Sequence, residues 1–358
     1  MKLKHIKLKK QSKKKKIEVI KSIKVYNYGL AILKSYLAFL VVVSHQFNKK
    51  TARNKIILKL VYKLNYHVPC FFIMSFYFMC NNLLSLNPRK ILNRFKRLLV
   101  PYIGWPFIIL GINRILNKKL KKNFPDTFEI LKSQLIWGYE YVGQFWYQWD
   151  LIVTTIIFII IIFIFRKHCL FILQLVLILF YYFQYTGNYF KKYLKYNNTN
   201  QYTIGRMFEM IPLGVTGFTL GYYDIINKLQ LFRIQTFVIS SIIINYIYEY
   251  NIFANIKGFL YQGIELNIKS TCIIFVFSLF PSEKINNKYI KKILNLITNY
   301  SAGPFYLHIT IKAYLHDYNQ NIKNKTFLGA IINFLICYNI SIIGDILFGK
   351  TQLKYLFC

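Results

Sequence analysis

The chain has 358 residues, of which 55% are hydrophobic and 18% aromatic, and it carries a formal charge of +36. This composition excludes an ordinary soluble domain, because many runs of about twenty residues hold almost no charge and are long enough to cross a bilayer as a helix. Nucleic acid is excluded as the expected partner, because the basic residues lie between the apolar runs and at the amino terminus, where they suit membrane lipids and their anionic headgroups.

The amino-terminal segment, residues 1–24, is a basic tail in which lysines come in blocks. We predict that it is disordered and lies in the cytosol, because Lys and Arg near the ends of membrane spans favour the cytosolic side. Residues 25–350 are predicted to form one transmembrane domain, and residues 351–358 a short carboxyl-terminal tail. The sequence therefore indicates a multi-pass protein of the cell membrane with a cytosolic amino terminus.

The apolar runs after the tail predict an all-α polytopic membrane protein, a bundle of about ten transmembrane helices. The eighth run is short and reaches a spanning length only with its flanks. The runs cover residues 29–47, 64–84, 98–116, 145–165, 169–186, 204–223, 231–247, 270–280, 293–315 and 327–348.

Two ionisable residues, Lys34 and His45, lie inside the first apolar run. Such side chains are costly at bilayer depth and mark functional paths. Their spacing of eleven residues makes three helical turns, so they share one face and are separated by about 16 Å. We expect Lys34 near one membrane surface and His45 near mid-depth, where an imidazole can act as a general base. The alternative for His45 is a hydrogen bond that holds a neighbouring helix.

Arg94 and Arg97 lie three residues apart, just before the third run, and therefore share a helix face. With Lys34 they form a predicted cationic site at the cytosolic surface. Arginine presents a planar fork that suits phosphate oxygens, so we expect an anionic, phosphate-bearing ligand. The alternative is ordinary anchoring of the helices at the cytosolic surface.

The later runs add four further candidates. Trp146 and Asp150 open the fourth run, where tryptophan is also a common interface anchor. Arg206 lies three residues before Glu209 in the sixth run, and this spacing predicts an internal ion pair. A second intramembrane histidine, His308, lies in the ninth run. The sequence indicates no metal site.

Five segments in chain order form a recognisable pattern: Lys34 with His45, the segment from His67 through Val-Pro-Cys-Phe-Phe-Ile-Met to Ser75, Arg97-Leu-Leu-Val-Pro-Tyr, Phe145-Trp146-Tyr, and Tyr306-Leu-His308. Together they resemble the acyltransferase 3 family of integral membrane acyltransferases. Lys34 stands where that family usually has arginine, and Phe76 stands where it often has glycine. The tripeptide that begins at Trp146 reads Trp-Tyr-Gln, where the family has Trp-Phe-Leu.

The resemblance implies transfer of an acyl group, usually acetyl, from coenzyme A to a hydroxyl, most often on a carbohydrate. Acetyl-CoA or another acyl-CoA would then be a donor substrate, and no tightly bound cofactor is implied. By analogy His45 and Lys34 form the functional pair. Donor binding is expected at Lys34, Arg97 and Arg94, and substrate binding at Trp146, Asp150, Arg206 and His308.

Two other classes remain open from the residues. A transporter would use Lys34, His45, Arg206 and His308 to line a substrate or proton path, since paired charges and broken helices occur in transporters too. A family member without activity would share the same motifs.

Overall fold

The computed structural model describes residues 27–46, 66–116, 145–185, 199–250, 264–280, 285, 287–318 and 326–356. These residues are helical wherever they form regular structure, and they contain no strand. The all-α prediction is therefore confirmed for the described part of the chain. The basic tail, residues 1–24, lies outside the described residues.

The described helices follow the apolar runs of the sequence. Helices α3, α6 and α9 begin five to ten residues earlier than their runs, the short α7 matches no run, and the others match within a few residues, apart from the ninth run. In chain order they are α1 Tyr28–Gln46, α2 His67–Leu84, α3 Pro88–Leu116, α4 Trp146–Phe165, α5 Cys169–Tyr185, α6 Thr199–Tyr222, α7 Ile225–Leu229, α8 Arg233–Tyr250, α9 Ile264–Ser278, α10 Lys288–Asn299, α11 Ala302–Tyr318 and α12 Thr326–Phe348.

The ninth run was predicted as one span over residues 293–315, and this is wrong. The chain forms α10 and then α11, with Tyr300 and Ser301 between them. Pro304 lies in the first turn of α11, where its missing N–H costs nothing, whereas inside a longer helix it would remove a hydrogen bond. The predicted run thus joined the apolar face of a short amphipathic helix to the apolar helix that follows it.

Five stretches within the described residues are long and apolar enough to cross a membrane. They are Tyr28–Gln46, His67–Leu84, Trp146–Tyr182, Ile225–Ile247 and Phe327–Phe348. The third comprises α4 and α5, which pack against each other because the chain turns at Arg166, a residue with a positive φ of 36°. Large apolar side chains such as Phe163, Ile178 and Ile242 are exposed on these helices, as lipid contact requires.

Glycines allow α6 to approach α2, the helix at the centre of the bundle. A Cβ atom at Gly217 would lie 2.1 Å from the backbone oxygen of Ile73, and one at Gly221 would lie 2.6 Å from the Cβ of Cys80. Membrane helices commonly pack through small residues because lipid provides no hydrophobic drive to bring them together. The close contact fixes α2, which contributes the residues described below.

Replacing Gly217 with alanine should destabilise the protein by about 1–3 kcal/mol, because the clash is with backbone that cannot rotate away. The matched control is Gly111→Ala on α3, since a Cβ there meets nothing within 4 Å. Thermal unfolding of both variants in the same detergent measures the difference. Equal unfolding temperatures for the two variants would contradict the packing described here.

The two ends of the bundle are named after α1, as the Tyr28 end and the Gln46 end. At the Tyr28 end, the side chain of Asn27 donates to the carbonyl of Ser278, the last residue of α9, over 3.2 Å. Helix α9 therefore runs antiparallel to α1.

The residues of the predicted carboxyl-terminal tail also pack on the bundle, because Trp105 Nε1 donates to the carbonyl of Leu356 over 2.8 Å.

Candidate active site

Two histidines from distant parts of the chain meet at the Gln46 end of α1. The ring centroids of His45 and His308 are 4.8 Å apart, with the ring planes inclined by 47°. His308 is buried in α11, with 1% of its surface exposed, whereas His45 is exposed. His45 lies in the last turn of α1 as described, and its position at mid-depth in the membrane stays a prediction.

The hydrogen bonds of His308 define its protonation pattern. Its Nδ1 lies 2.9 Å from the carbonyl oxygen of Pro304 and 3.0 Å from that of Phe305. Carbonyl oxygens only accept, so Nδ1 carries the proton and, in the neutral ring, Nε2 has the lone pair. Nε2 is buried and has no hydrogen-bond partner among the described residues. His308 therefore presents a proton acceptor beside His45.

Polar side chains donate hydrogen bonds to the backbone carbonyl groups of both histidines. Lys312 Nζ donates to the carbonyl of His45, and Asn333 Nδ2 donates to the carbonyl of His308 over 2.8 Å. These bonds tie α11 to α1 and α12 to α11 at the level of the two rings. Sequence reasoning missed Lys312, although its position four residues after His308 placed both on one face of α11.

Replacing Lys312 with methionine should lower kcat by about 100-fold, because a displacement of about 1 Å at a reacting group has an effect of that size. The KM for the acyl donor should stay close to the wild-type value. Lys312→Arg keeps a donor for the His45 carbonyl and should restore much of kcat. Equal losses in the methionine and arginine variants would show that the contact with His45 does not matter.

One face of α2 connects the histidines to a half-buried arginine. His67, Phe71 and Ser75 recur every four residues and so lie on one face, which spans about 12 Å. His67 is buried and close enough to His45 for their charges to interact. The ring of Phe71 packs against Phe305 at 6.0 Å and against Tyr147 at 6.3 Å. An aromatic layer thus separates the histidine end of this face from its Ser75 end.

Arg94 lies at the Ser75 end of that face. Its Nη2 donates to Ser75 Oγ, and its Nε is buried without a hydrogen-bond partner among the described residues. The phenols of Tyr147 and Tyr306 lie within electrostatic range of the guanidinium. Arg97, in contrast, is exposed. The two arginines were predicted to act together, but the structure directs Arg94 toward the interior of the bundle.

Three other predicted residues lie around this region. Lys34 is half-buried and lies three turns before His45 on α1, about 16 Å away along the helix. Trp146 packs edge-on against Tyr147, with centroids 6.1 Å apart. Asp150 is fully buried, one turn after Tyr147, and interacts with it electrostatically. Trp146 and Asp150 therefore flank a tyrosine that approaches Arg94.

The predicted ion pair on α6 falls partly outside the described residues. Arg206 lies within the helix, but its side chain is not among those described, whereas Glu209 is buried with 4% exposure. Within the described part of the chain, no group of three or more His, Cys, Asp or Glu residues could hold a metal ion.

Phe76, which stands where the family often has glycine, is fully buried away from the histidines. Its ring packs against Phe158 at 4.7 Å and Phe72 at 5.4 Å. A Cβ at Gly214 on α6 would lie 3.4 Å from the Phe76 ring, so this glycine leaves the space that the larger side chain fills. The substitution changes the packing of α2 on α4 and α6.

The fold and the site together define a polytopic membrane protein, helical throughout the regular structure of its described residues, in which a histidine pair and a half-buried arginine lie along one face of α2. A family model described as an acyltransferase domain, acyltransferase 3, matches residues 27–348. The chain therefore belongs to this family and is an acyltransferase, as the five segments indicated. No curated protein and no solved structure matches the chain.

Proposed function

We propose that the chain is an O-acyltransferase that moves an acetyl group from acetyl-CoA to a hydroxyl of a carbohydrate or related acceptor. The observation that carries this proposal is the contact between His45 and His308, in which a buried Nε2 remains available as an acceptor. Hydroxyl groups are weak nucleophiles until a base removes their proton. Paired imidazoles near neutral pH supply such a base.

The donor is expected to enter from the Tyr28 end. Arg94 offers an Nε donor beside its contact with Ser75. Lys34, in the half of α1 that begins at Tyr28, adds a second cation. Cations of this kind suit the phosphates of coenzyme A, and the arginine fork adds directional bonds. With the amino terminus in the cytosol, this end faces the cytosolic pool of the donor. The exposed Arg97 adds charge at the entrance.

The reaction follows from these positions. The acceptor hydroxyl oxygen attacks the thioester carbonyl carbon, so that a C–O bond forms and the C–S bond breaks. His45 takes the hydroxyl proton and returns it to the departing thiolate, which leaves as coenzyme A with a free thiol. In its neutral form His308 accepts a hydrogen bond through Nε2, so it orients the hydroxyl or the His45 ring and does not donate to the oxyanion.

The acceptor is expected to lie near the start of α4. Trp146 offers a partly exposed aromatic edge, and the buried Asp150 carboxylate interacts with Tyr147 and would orient its phenol beside the acceptor. Arg206 completes the set that the family pattern proposes for substrate binding. Sugar binding sites generally combine an apolar surface with a few placed polar groups, and these residues provide both.

Release of coenzyme A tests this function. The purified full chain, reconstituted in proteoliposomes, would receive acetyl-CoA and a panel of sugars, with thiol release read over time. We expect release that depends on one class of acceptor and persists in His168→Ala, a histidine exposed in the turn between α4 and α5. Movement of solute across the bilayer without thiol release would support a transporter. If the folded protein released no thiol with any acceptor, the result would support an inactive family member.

A further inference from the structure

Helix α10 presents an apolar arc and a basic arc, and both are exposed. At about 100° per residue, the apolar side chains fall on one half of the helix and three lysines on the other. Thr298 is the buried residue of α10. The exposed apolar side chains are Tyr289, Ile290, Ile293, Leu296 and Ile297, and the exposed lysines are Lys288, Lys291 and Lys292.

The carboxyl-terminal turn of α10 is fastened to two helices that are long and apolar enough to cross the membrane. Ser35 Oγ on α1 donates to the carbonyl of Ile297 over 2.9 Å, and the Tyr338 hydroxyl on α12 donates to that of Leu296. Ser35 lies in the second turn of α1, so the carboxyl-terminal turn of α10 is attached to the half of α1 that begins at Tyr28. Its twelve residues extend about 18 Å, too short to cross a hydrocarbon core of about 30 Å.

We propose that α10 lies in the surface of the membrane and binds the anionic headgroups of the leaflet at the Tyr28 end. A helix with apolar residues on one half and lysines on the other inserts its apolar half at the boundary between headgroups and acyl chains. The lysines then lie at the level of the lipid phosphates, which attract them. Both exposed halves of α10 acquire partners in this arrangement.

The charge of the protein favours lipid over a second copy of the same chain as the partner of α10. The whole chain has a formal charge of +36, so a second copy would bring like charge toward the three lysines. Anionic lipid complements the lysines and contacts the apolar arc at the same time. The amino terminus of α10 is capped within the chain, because the Asn287 side chain accepts hydrogen bonds from the backbone N–H groups of Tyr289 and Ile290.

Fluorescence quenching tests the depth of the apolar arc. The full chain would carry either Ile293→Trp, on the apolar arc, or Asn295→Trp, on the polar arc of the same helix, in nanodiscs with brominated acyl chains. After subtraction of the wild-type signal, we expect strong quenching at position 293 and weak quenching at 295. Equal quenching at both positions, or none at 293, would overturn the proposal. Quenching at 293 only by a second, quencher-labelled copy of the chain would also overturn it, in favour of a dimer.

Titration with phosphatidylglycerol tests the role of the lysines. The variant with Lys288→Gln, Lys291→Gln and Lys292→Gln should bind this anionic lipid on the order of 100-fold more weakly, because each lysine near a headgroup contributes about fivefold. A control that removes three other exposed lysines, by Lys167→Gln, Lys228→Gln and Lys350→Gln, should bind nearly as the wild type does. Equal weakening in both variants, or equal binding of neutral phosphatidylcholine, would contradict a specific basic surface on α10.

Discussion

Replacing His45 with alanine should lower the rate of acetyl transfer by about 10²- to 10⁴-fold, the contribution of a well-placed general base. The imidazole is exposed at the end of α1, and Lys312 contacts its backbone carbonyl, not its ring. The substitution should therefore leave the fold and the KM for the donor close to wild type. Thiol release under saturating donor and acceptor measures the rate, and thermal unfolding in detergent checks the fold.

The paired variants make the His45 prediction specific. His308→Ala should also lower kcat, and the double variant should lose little more than His45→Ala alone, because residues that act as a unit are strongly non-additive. His168→Ala removes an exposed histidine outside the pair and should keep wild-type activity. Fully additive losses in the double variant would mean that the two imidazoles act separately, although their rings are in contact.

Replacing Arg94 with alanine should raise the KM for acetyl-CoA by roughly 10- to 100-fold, the effect of losing a charge-assisted hydrogen bond to an anion. Arg94→Lys keeps the charge without the planar fork, so its KM for acetyl-CoA should lie between those of the wild type and Arg94→Ala. The matched control is Arg97→Ala, one turn away and exposed, for which we expect a change of less than about fivefold. Initial rates over a range of donor concentrations separate KM from kcat.

A truncated donor decides whether Arg94 binds phosphate. Acetyl-pantetheine holds the same thioester but lacks the nucleotide phosphates, so wild type and Arg94→Ala should use it with similar KM. A large difference in KM between the two proteins that persists with this donor would mean that Arg94 acts by packing against Ser75 and not by binding phosphate. A larger effect for Arg97 than for Arg94 would reverse the assignment of the donor site.

Periodicity identified the residues of the site better than it identified their contacts. His45 and His308 were recognisable as intramembrane histidines, but their meeting depends on the packing of α1 against α11, which no local pattern encodes. Arg94 and Arg97 share a helix face by their spacing, and the rotation of α3 against Ser75 then directs Arg94 inward. Lys312 was missed because a lysine near the end of an apolar run resembles an ordinary membrane anchor.

The boundary between α10 and α11 shows how far hydropathy alone can predict the fold. Isoleucine and leucine on one face of α10 are followed by the apolar residues of α11, so the mean hydropathy of the segment concealed a turn at Tyr300 and Ser301. A signal was present in the lysines just before the run, whose spacing is that of an amphipathic surface helix. Pro304 provided a second signal, since it favours the first turn of a new helix.

Transfer of a labelled acetyl group tests the central claim most directly. The reconstituted wild-type chain would receive acetyl-CoA labelled with stable isotope in the acetyl group, together with the acceptor that gave thiol release. Mass spectrometry should find one labelled acetyl ester on an acceptor hydroxyl for each molecule of coenzyme A released. Acceptor that crosses the bilayer unmodified, or thiol release without a labelled ester, would contradict an O-acyltransferase.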